Sequence, residues 1–267
     1  AEHEWSDKKS SKGLHQNALL VGEALGLKTD VRSILKGEVD AVVSKFREQG
    51  NSNATINRKC AALSKVLTTA VHLGIIDKKP RIKRLREAEH RKRWYTDAEL
   101  TGILDYLKGE GSPEMQALIR FLADTGLRVS EALNLEWRDV TVDETGSMTT
   151  VTVHESKSGS PRSVPLTLEA GVSLWQCLPE SAKYGDQRLH PKEGGPFTWC
   201  TKSRLRWWWA KIRKHMGWED DPQAVVHALR HTFISRLVQN GVPIITVKEL
   251  AGHKNIEVTM GYAHLAP

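Results

Sequence analysis

From Leu14 the apolar residues recur every three or four positions, at Leu14, Ala18, Val21 and Leu25, and Gly26 ends the run. That spacing sets the four side chains on one face of a helix. A second stripe, Val39, Val42, Val43 and Phe46, stops at Gly50. A third, Ile56, Cys60, Leu63, Leu67 and Ala70, runs from a cap at Ser52 or Asn53 to Gly74. The stripes predict an all-helical unit over residues 13–78, preceded by an aperiodic polar tail over residues 1–12. Further along, Thr96-Asp97-Ala98-Glu99 has the form of a capping box, and Pro113 fits the first turn of a helix carrying Leu118, Phe121 and Leu122. Gly126 breaks that helix, and Arg128 stands at or near the start of a short one with Glu131 one turn on. At Thr149 the period changes to two. Val151 and Val153 alternate with Thr150, Thr152 and His154, Lys157-Ser158-Gly159-Ser160-Pro161 makes a turn, and the chain returns over Arg162 to Leu166. The expectation is a β-hairpin with Lys157 near its tip. The fold class is therefore mainly α with a small antiparallel β-sheet.

Charge changes this picture in one place. The chain carries 39 Lys and Arg against 32 Asp and Glu, a net charge of +7. The stretch from Lys78 to Arg93 has nine basic residues against Glu87 and Glu89, so it holds the whole excess. Residues 79–93 are expected to be a basic linker between the helical unit and a second domain over residues 94–267. A solvated linker or a localisation signal has the same composition. Its place between two differently patterned halves points instead to a strap on nucleic-acid phosphates, where each neutralised phosphate releases counterion. Arg81, Lys83, Arg84, Arg91, Lys92 and Arg93 are the candidate contacts.

No apolar run reaches membrane-spanning length, and no charged-then-apolar leader opens the chain, so an intracellular protein is expected. Cys60, Cys177 and Cys200 form no metal-ligand pattern and read as structural thiols. Trp207-Trp208-Trp209 invites a base-stacking interpretation. On a helix, however, Leu205, Trp208, Trp209, Ile212 and Met216 share one face, which leaves only Trp207, beside Lys211 and Lys214, as a nucleic-acid contact.

The chemistry is concentrated near the end of the chain: His227-Ala228-Leu229-Arg230, then Gly252-His253, then Gly261-Tyr262, with Arg128 far upstream. His227 and Arg230 project from the same helical face. His227 and His231 have the spacing of a zinc pair, but Ala228 stands where that motif needs glutamate, so no metal is expected. Metal-free cleavage of a phosphodiester requires positive charge on the non-bridging oxygens, which the planar forks of Arg128 and Arg230 can supply. A phenol nucleophile must also lose its proton. At an ordinary pKa of about 10 only ~one in a thousand is ionised at neutral pH, a deficit near 4 kcal/mol that a cationic pocket and a base can offset. Lys157 on its hairpin can return a proton to the leaving oxygen.

The segments TGLRVSEAL, SKSGSPRSVPL, HALRHTF and LAGHKNIEVTMGYAH resemble, in order, the catalytic motifs of the tyrosine recombinases, the phage-integrase group in particular. The resemblance covers roughly Trp94 to Tyr262 and, more loosely, the helical unit as that family's core-binding domain. It implies a two-domain clamp around duplex DNA. It assigns Arg128 and Arg230 to the phosphate clamp, Lys157 to leaving-group protonation, His227 to acid/base work and His253 to phosphate binding. Tyr262 would be the nucleophile, Glu131 the support of the first arginine, and His231 structural. The implied reaction makes a 3′-phosphotyrosyl bond, frees a 5′ hydroxyl and passes through a four-way junction, with no metal, nucleotide or other cofactor. The implied partners are duplex DNA with inverted core-type sites, three further copies of the chain on synapsed DNA, and host DNA-bending proteins. Five residues follow Tyr262 (267 − 262), fewer than the family's usual docking tail, and the stretch before Leu14 is shorter than an arm-binding domain. Two other readings share the residues: a type IB topoisomerase-like enzyme that relaxes DNA, and a DNA-binding architectural protein that does not cleave.

Overall fold

A computed structural model describes residues 11–87, 93–154, 161–179 and 194–267. The chain divides into two compact units, residues 1–90 and 91–267.

In the first unit, α1 (Ser11–Leu25), α2 (Lys36–Glu48) and α3 (Asn53–His72) bury Val21, Val39, Val42, Phe46, Ile56, Cys60, Leu63 and Leu67 against one another. Ser52 caps α3, its hydroxyl accepting the Thr55 N–H at 3.3 Å. Helix α1 starts at Ser11, inside the stretch read as tail, because Ser11 and Lys12 add no apolar position from which periodicity could be read. The larger departure concerns the basic stretch. Ile82 and Leu85 pack against the helical core. Asn57 holds Leu85 with both ends of its amide, donating to the carbonyl and accepting from the N–H, each at 2.9 Å. Asn53 donates to the Arg86 carbonyl at 2.7 Å. Residues 82–87 are thus part of the helical unit and not a free linker. Two apolar anchors among so many charges do not register as a pattern.

The second unit opens with α4 (Asp97–Gly109) and α5 (Pro113–Thr125). Thr96 and Glu99 form the expected capping box, and Pro113 occupies the first turn of α5. After the short α6 (Val129–Leu133) comes an antiparallel sheet in the order β1 (Val140–Val142), β2 (Met148–Val153), β3 (Arg162–Pro165). Strands β2 and β3 are the predicted hairpin, with Val153 opposite Arg162. Strand β1 was not predicted, since three residues are too few for alternation to show. Helices α7 (Leu168–Gln176) and α8 (Lys202–His215) complete the main core with Leu205, Trp208, Trp209 and Ile212, while Trp207 is 55% exposed with Lys211 Nζ 4.5 Å from its ring centre. A separate apolar cluster, Phe233, Ile234, Val238, Val247, Ala251 and Tyr262, joins α9 (Ala228–Gln239), α10 (Ile244–Ala251) and the segment after α11 (Ile256–Met260).

Candidate active site

The site is built around one helix end. Helix α10 finishes at Ala251, and Gly252 turns the chain in the left-handed region at φ +65°. The last carbonyls of any helix lack partners within it and carry the negative end of its dipole. Here three consecutive carbonyls are each taken by an arginine from a different element. Arg162 Nε donates to Leu250 at 3.0 Å, an Arg230 Nη donates to Ala251, and Arg128 Nη2 donates to Gly252 at 3.1 Å.

Each arginine has its own reason to be there. After α5 the chain reverses at Gly126, φ +61°, where a Cβ would lie 2.2 Å from the Phe233 ring, so only glycine fits. The reversal sets Arg128 as the residue before α6. Its N–H donates to Glu131 Oε2 at 2.9 Å and its Nη1 to Oε1 at 2.7 Å, which ties main chain and side chain to one carboxylate. Arg230 sits on the inward face of α9, 3% exposed, with a second Nη donating to the Gly126 carbonyl at 2.7 Å. Burial first, then the positive charge of Arg128, brings its pKa down to about 10, so it remains charged at neutral pH. Burial pushes the Glu131 carboxyl up, but hydrogen bonds from Arg162 and Arg128 outweigh it and keep the group ionised.

His253, His227 and Tyr262 lie at the ends of α10, α9 and α11. His253 follows Gly252 directly and pairs through Nδ1 with Thr259 Oγ1 at 2.9 Å. His227 immediately precedes α9. Although it is exposed, the protein backing its ring desolvates it in part, and with Arg230 and Arg128 nearby this lowers its pKa and favours neutral imidazole. Tyr262 is 2% exposed and its hydroxyl is hydrogen-bonded to His231 Nδ1. The two rings are 5.9 Å apart, and His231 in turn lies 5.0 Å from the His227 ring, edge to face. Burial raises the phenol's pKa, against the influence of Arg230, so Tyr262 holds its proton at neutral pH.

Two residues have partners that the sequence did not show. His231, read as structural, is the direct partner of the phenol. Its spacing from His227 and its position next to Arg230 were visible in the sequence, but neither says what a side chain touches. Arg93, expected on DNA, is instead occupied within its own unit. It pairs with Glu99 at 2.7 Å and Asp221 at 2.8 Å and lies over the Tyr95 and Trp218 rings. Arg81, Lys83 and Arg84 are exposed, Arg84 pairing with Glu87 at 3.0 Å. Lys157, Arg91 and Lys92 lie outside the described residues.

The sequence profile of the phage integrase family matches residues 93–267, from the last residue of the basic stretch past Tyr262 to Pro267. The chain belongs to the phage integrase family. As a tyrosine recombinase it is a site-specific enzyme that cleaves and rejoins DNA. It is 31% identical to the integrase of Salmonella phage P22 over 83% of its own length, and spans 59% of that relative. A XerC-like tyrosine recombinase of Caldanaerobacter subterraneus is 28% identical over 96% of the chain and 73% of the relative. Among solved structures, the Tn1549 transposon integrase in complex with transposon right-end DNA superposes with a TM-score of 0.75 at 19% identity. The alignment covers 98% of this chain and 91% of that one, a likeness of fold.

Proposed function

We propose that Tyr262 is the nucleophile of this recombinase and that Arg128 and Arg230 hold the scissile phosphate of duplex DNA while it attacks. The observation that carries the reading is the seating of these two guanidinium groups on the adjacent carbonyls of Gly252 and Ala251, with the phenol one histidine away on the helix that bears Arg230. An arginine has five N–H donors in a fixed fork, and anchoring some of them on a rigid helix end orients the rest toward an incoming oxyanion. Pre-orientation matters because charge grows on the non-bridging oxygens as the phenol attacks, and donors already in place need no reorganisation at that moment.

In the proposed reaction the Tyr262 oxygen bonds to phosphorus while the bond to the 5′ oxygen breaks. The phenolic proton passes to the histidine pair, and Lys157 protonates the leaving oxygen. His253 contributes a further hydrogen bond to the phosphate. A 5′ hydroxyl from a partner strand then reverses the step, and the energy of the phosphodiester is kept in the protein–DNA bond. The same reading places four protomers on two synapsed inverted sites, with Arg81, Lys83 and Arg84 following the DNA backbone and host bending proteins assisting.

The test is incubation with nicked suicide duplexes carrying the attachment region of the source genome, with chelator present and nucleotide absent. A covalent 3′-linked complex that survives denaturation and is lost in Tyr262→Phe is expected. An adduct that persists in that variant would move the nucleophile elsewhere.

A further inference from the structure

Arg162 belongs to none of the roles above, yet it is the most heavily engaged guanidinium in the site. It is the first residue of β3, its backbone fixed by the register with Val153. Its side chain is 9% exposed. Nη2 donates to Glu131 Oε2 at 2.7 Å, Nη1 lies 3.3 Å from Oε1, and Nε donates to the Leu250 carbonyl at 3.0 Å. All three nitrogens are therefore committed to protein, which separates Arg162 from a residue waiting for a phosphate.

A second feature was shaped around the same group. A Cβ on Gly252 would stand 2.9 Å from Cζ, Nε and Nη1 of Arg162, so the absence of a side chain there lets the guanidinium lie flat against the end of α10. Glu131 is then gripped from both sides, by Arg162 on one and by Arg128 on the other. Without Arg162 the carboxylate would have one charged partner, and Arg128 would be fastened to a short helix alone.

We propose that Arg162 is a positioning residue for the phosphate clamp: it fixes Glu131, and through Glu131 the guanidinium of Arg128, to the C-terminal end of α10. The inference rests on the reading that Arg128 holds the scissile phosphate. It makes the sheet the third wall of the clamp, beside α6 and α9, and gives Glu131 the task of joining two arginines.

The experiment compares wild type, Arg162→Gln, Arg128→Ala and the double variant on the nicked suicide duplex, with binding measured at several salt concentrations. Arg162→Gln should slow covalent-complex formation about 10- to 100-fold. Duplex affinity should stay within about twofold and the slope of log affinity on log salt should be unchanged, since a true phosphate contact would lower that slope by about 0.9. In the Arg128→Ala background, removing Arg162 should cost no more than about twofold further, because the group it positions is already gone. Full additivity of the two losses, or a reduced salt slope in Arg162→Gln, overturns the assignment. If Arg162→Gln does not fold, Arg162→Lys serves: it keeps the charge but cannot reach Glu131 and Leu250 together, and wild-type cleavage in that variant likewise overturns the assignment. Wild type is the control for the underlying reading. If wild type forms no adduct, that reading fails and takes the inference with it, whereas a wild-type adduct with additive variants removes Arg162 alone.

Discussion

Each unit of the molecule buries a cation, and the two are held in opposite ways. Lys59 in the helical unit is 7% exposed. Its ammonium lies 3.7 Å over the Phe46 ring and donates to Asn51 Oδ1 at 3.1 Å, while Asn51 itself ties back to the Phe46 carbonyl. The charge is enclosed by neutral groups from α2 and the loop that follows it. Arg230 in the catalytic unit is 3% exposed, but its two carbonyl partners come from distant elements, and burial first, then the charges of Arg128 and Arg162, depress its pKa. Desolvating a charge is costly in both cases. In the first unit the cost is offset locally and serves packing. In the second, like charges are assembled against one carboxylate and a helix end, an arrangement that a bound phosphate would relieve.

The largest expected effect separates these two cations. Arg230→Ala should reduce the rate of covalent-complex formation by about 10²–10³, the loss typical of a removed oxyanion donor. Lys59→Met should leave the rate per folded molecule unchanged and shift unfolding free energy by no more than about 1–2 kcal/mol in urea titration. A cleavage defect in Lys59→Met would erase the distinction. Next come two left-handed glycines. Gly50 (φ +75°) has open space where a Cβ would stand, whereas Gly252 (φ +65°) faces the Arg162 guanidinium. Alanine at either site should cost about 1–2 kcal/mol of stability from backbone strain, but only Gly252→Ala should also lose cleavage, by displacing Arg162. Equal activity of the two variants would mean that Arg162 need not lie against the helix end.

How far these features could be read in advance depended on their range. The helices of the first unit and several of the second were legible because their stripes repeat within a few residues, as at Val39, Val42 and Phe46, and the turn into Arg128 was legible because Gly126 and the Arg128–Glu131 spacing are local, whereas the short α7, α10 and α11 were not read in advance. The residue types for phosphoryl chemistry were likewise present in order. Their fastening was not legible. Arg162 meets the Leu250 carbonyl across 88 residues and Arg128 meets the Gly252 carbonyl across 124, and a backbone acceptor has no residue type to announce it. In the alternating pattern Arg162 read only as the start of a strand. The phenol's contact with His231 was hidden for the same reason. The anchoring of residues 82–87 depended on Asn53 and Asn57 some thirty positions earlier, where asparagine on a helix signals nothing.

Asn57→Ala removes both hydrogen bonds to Leu85 and should lower stability by about 1–2 kcal/mol, with faster amide exchange at Leu85. Unchanged exchange would show that Ile82 and Leu85 hold the segment by packing alone. The smallest effect is in pH. His227 has a folded-state pKa below its ordinary 6.5, so the folded state binds its proton less readily than the unfolded chain does. Its contribution to stability is present above that ordinary value and is lost as pH falls through the folded value. His227→Gln should flatten this acid limb of the stability curve; an unaltered limb would assign it to another group.

The central claim is that the oxygen of residue 262 becomes bonded to DNA under the clamp. Its most direct measurement is mass spectrometry of the protease-digested covalent complex, reading which residue carries the nucleotide remnant. The remnant is expected on Tyr262, in wild type and, at reduced yield, in Arg162→Gln. A remnant on any other residue would contradict it.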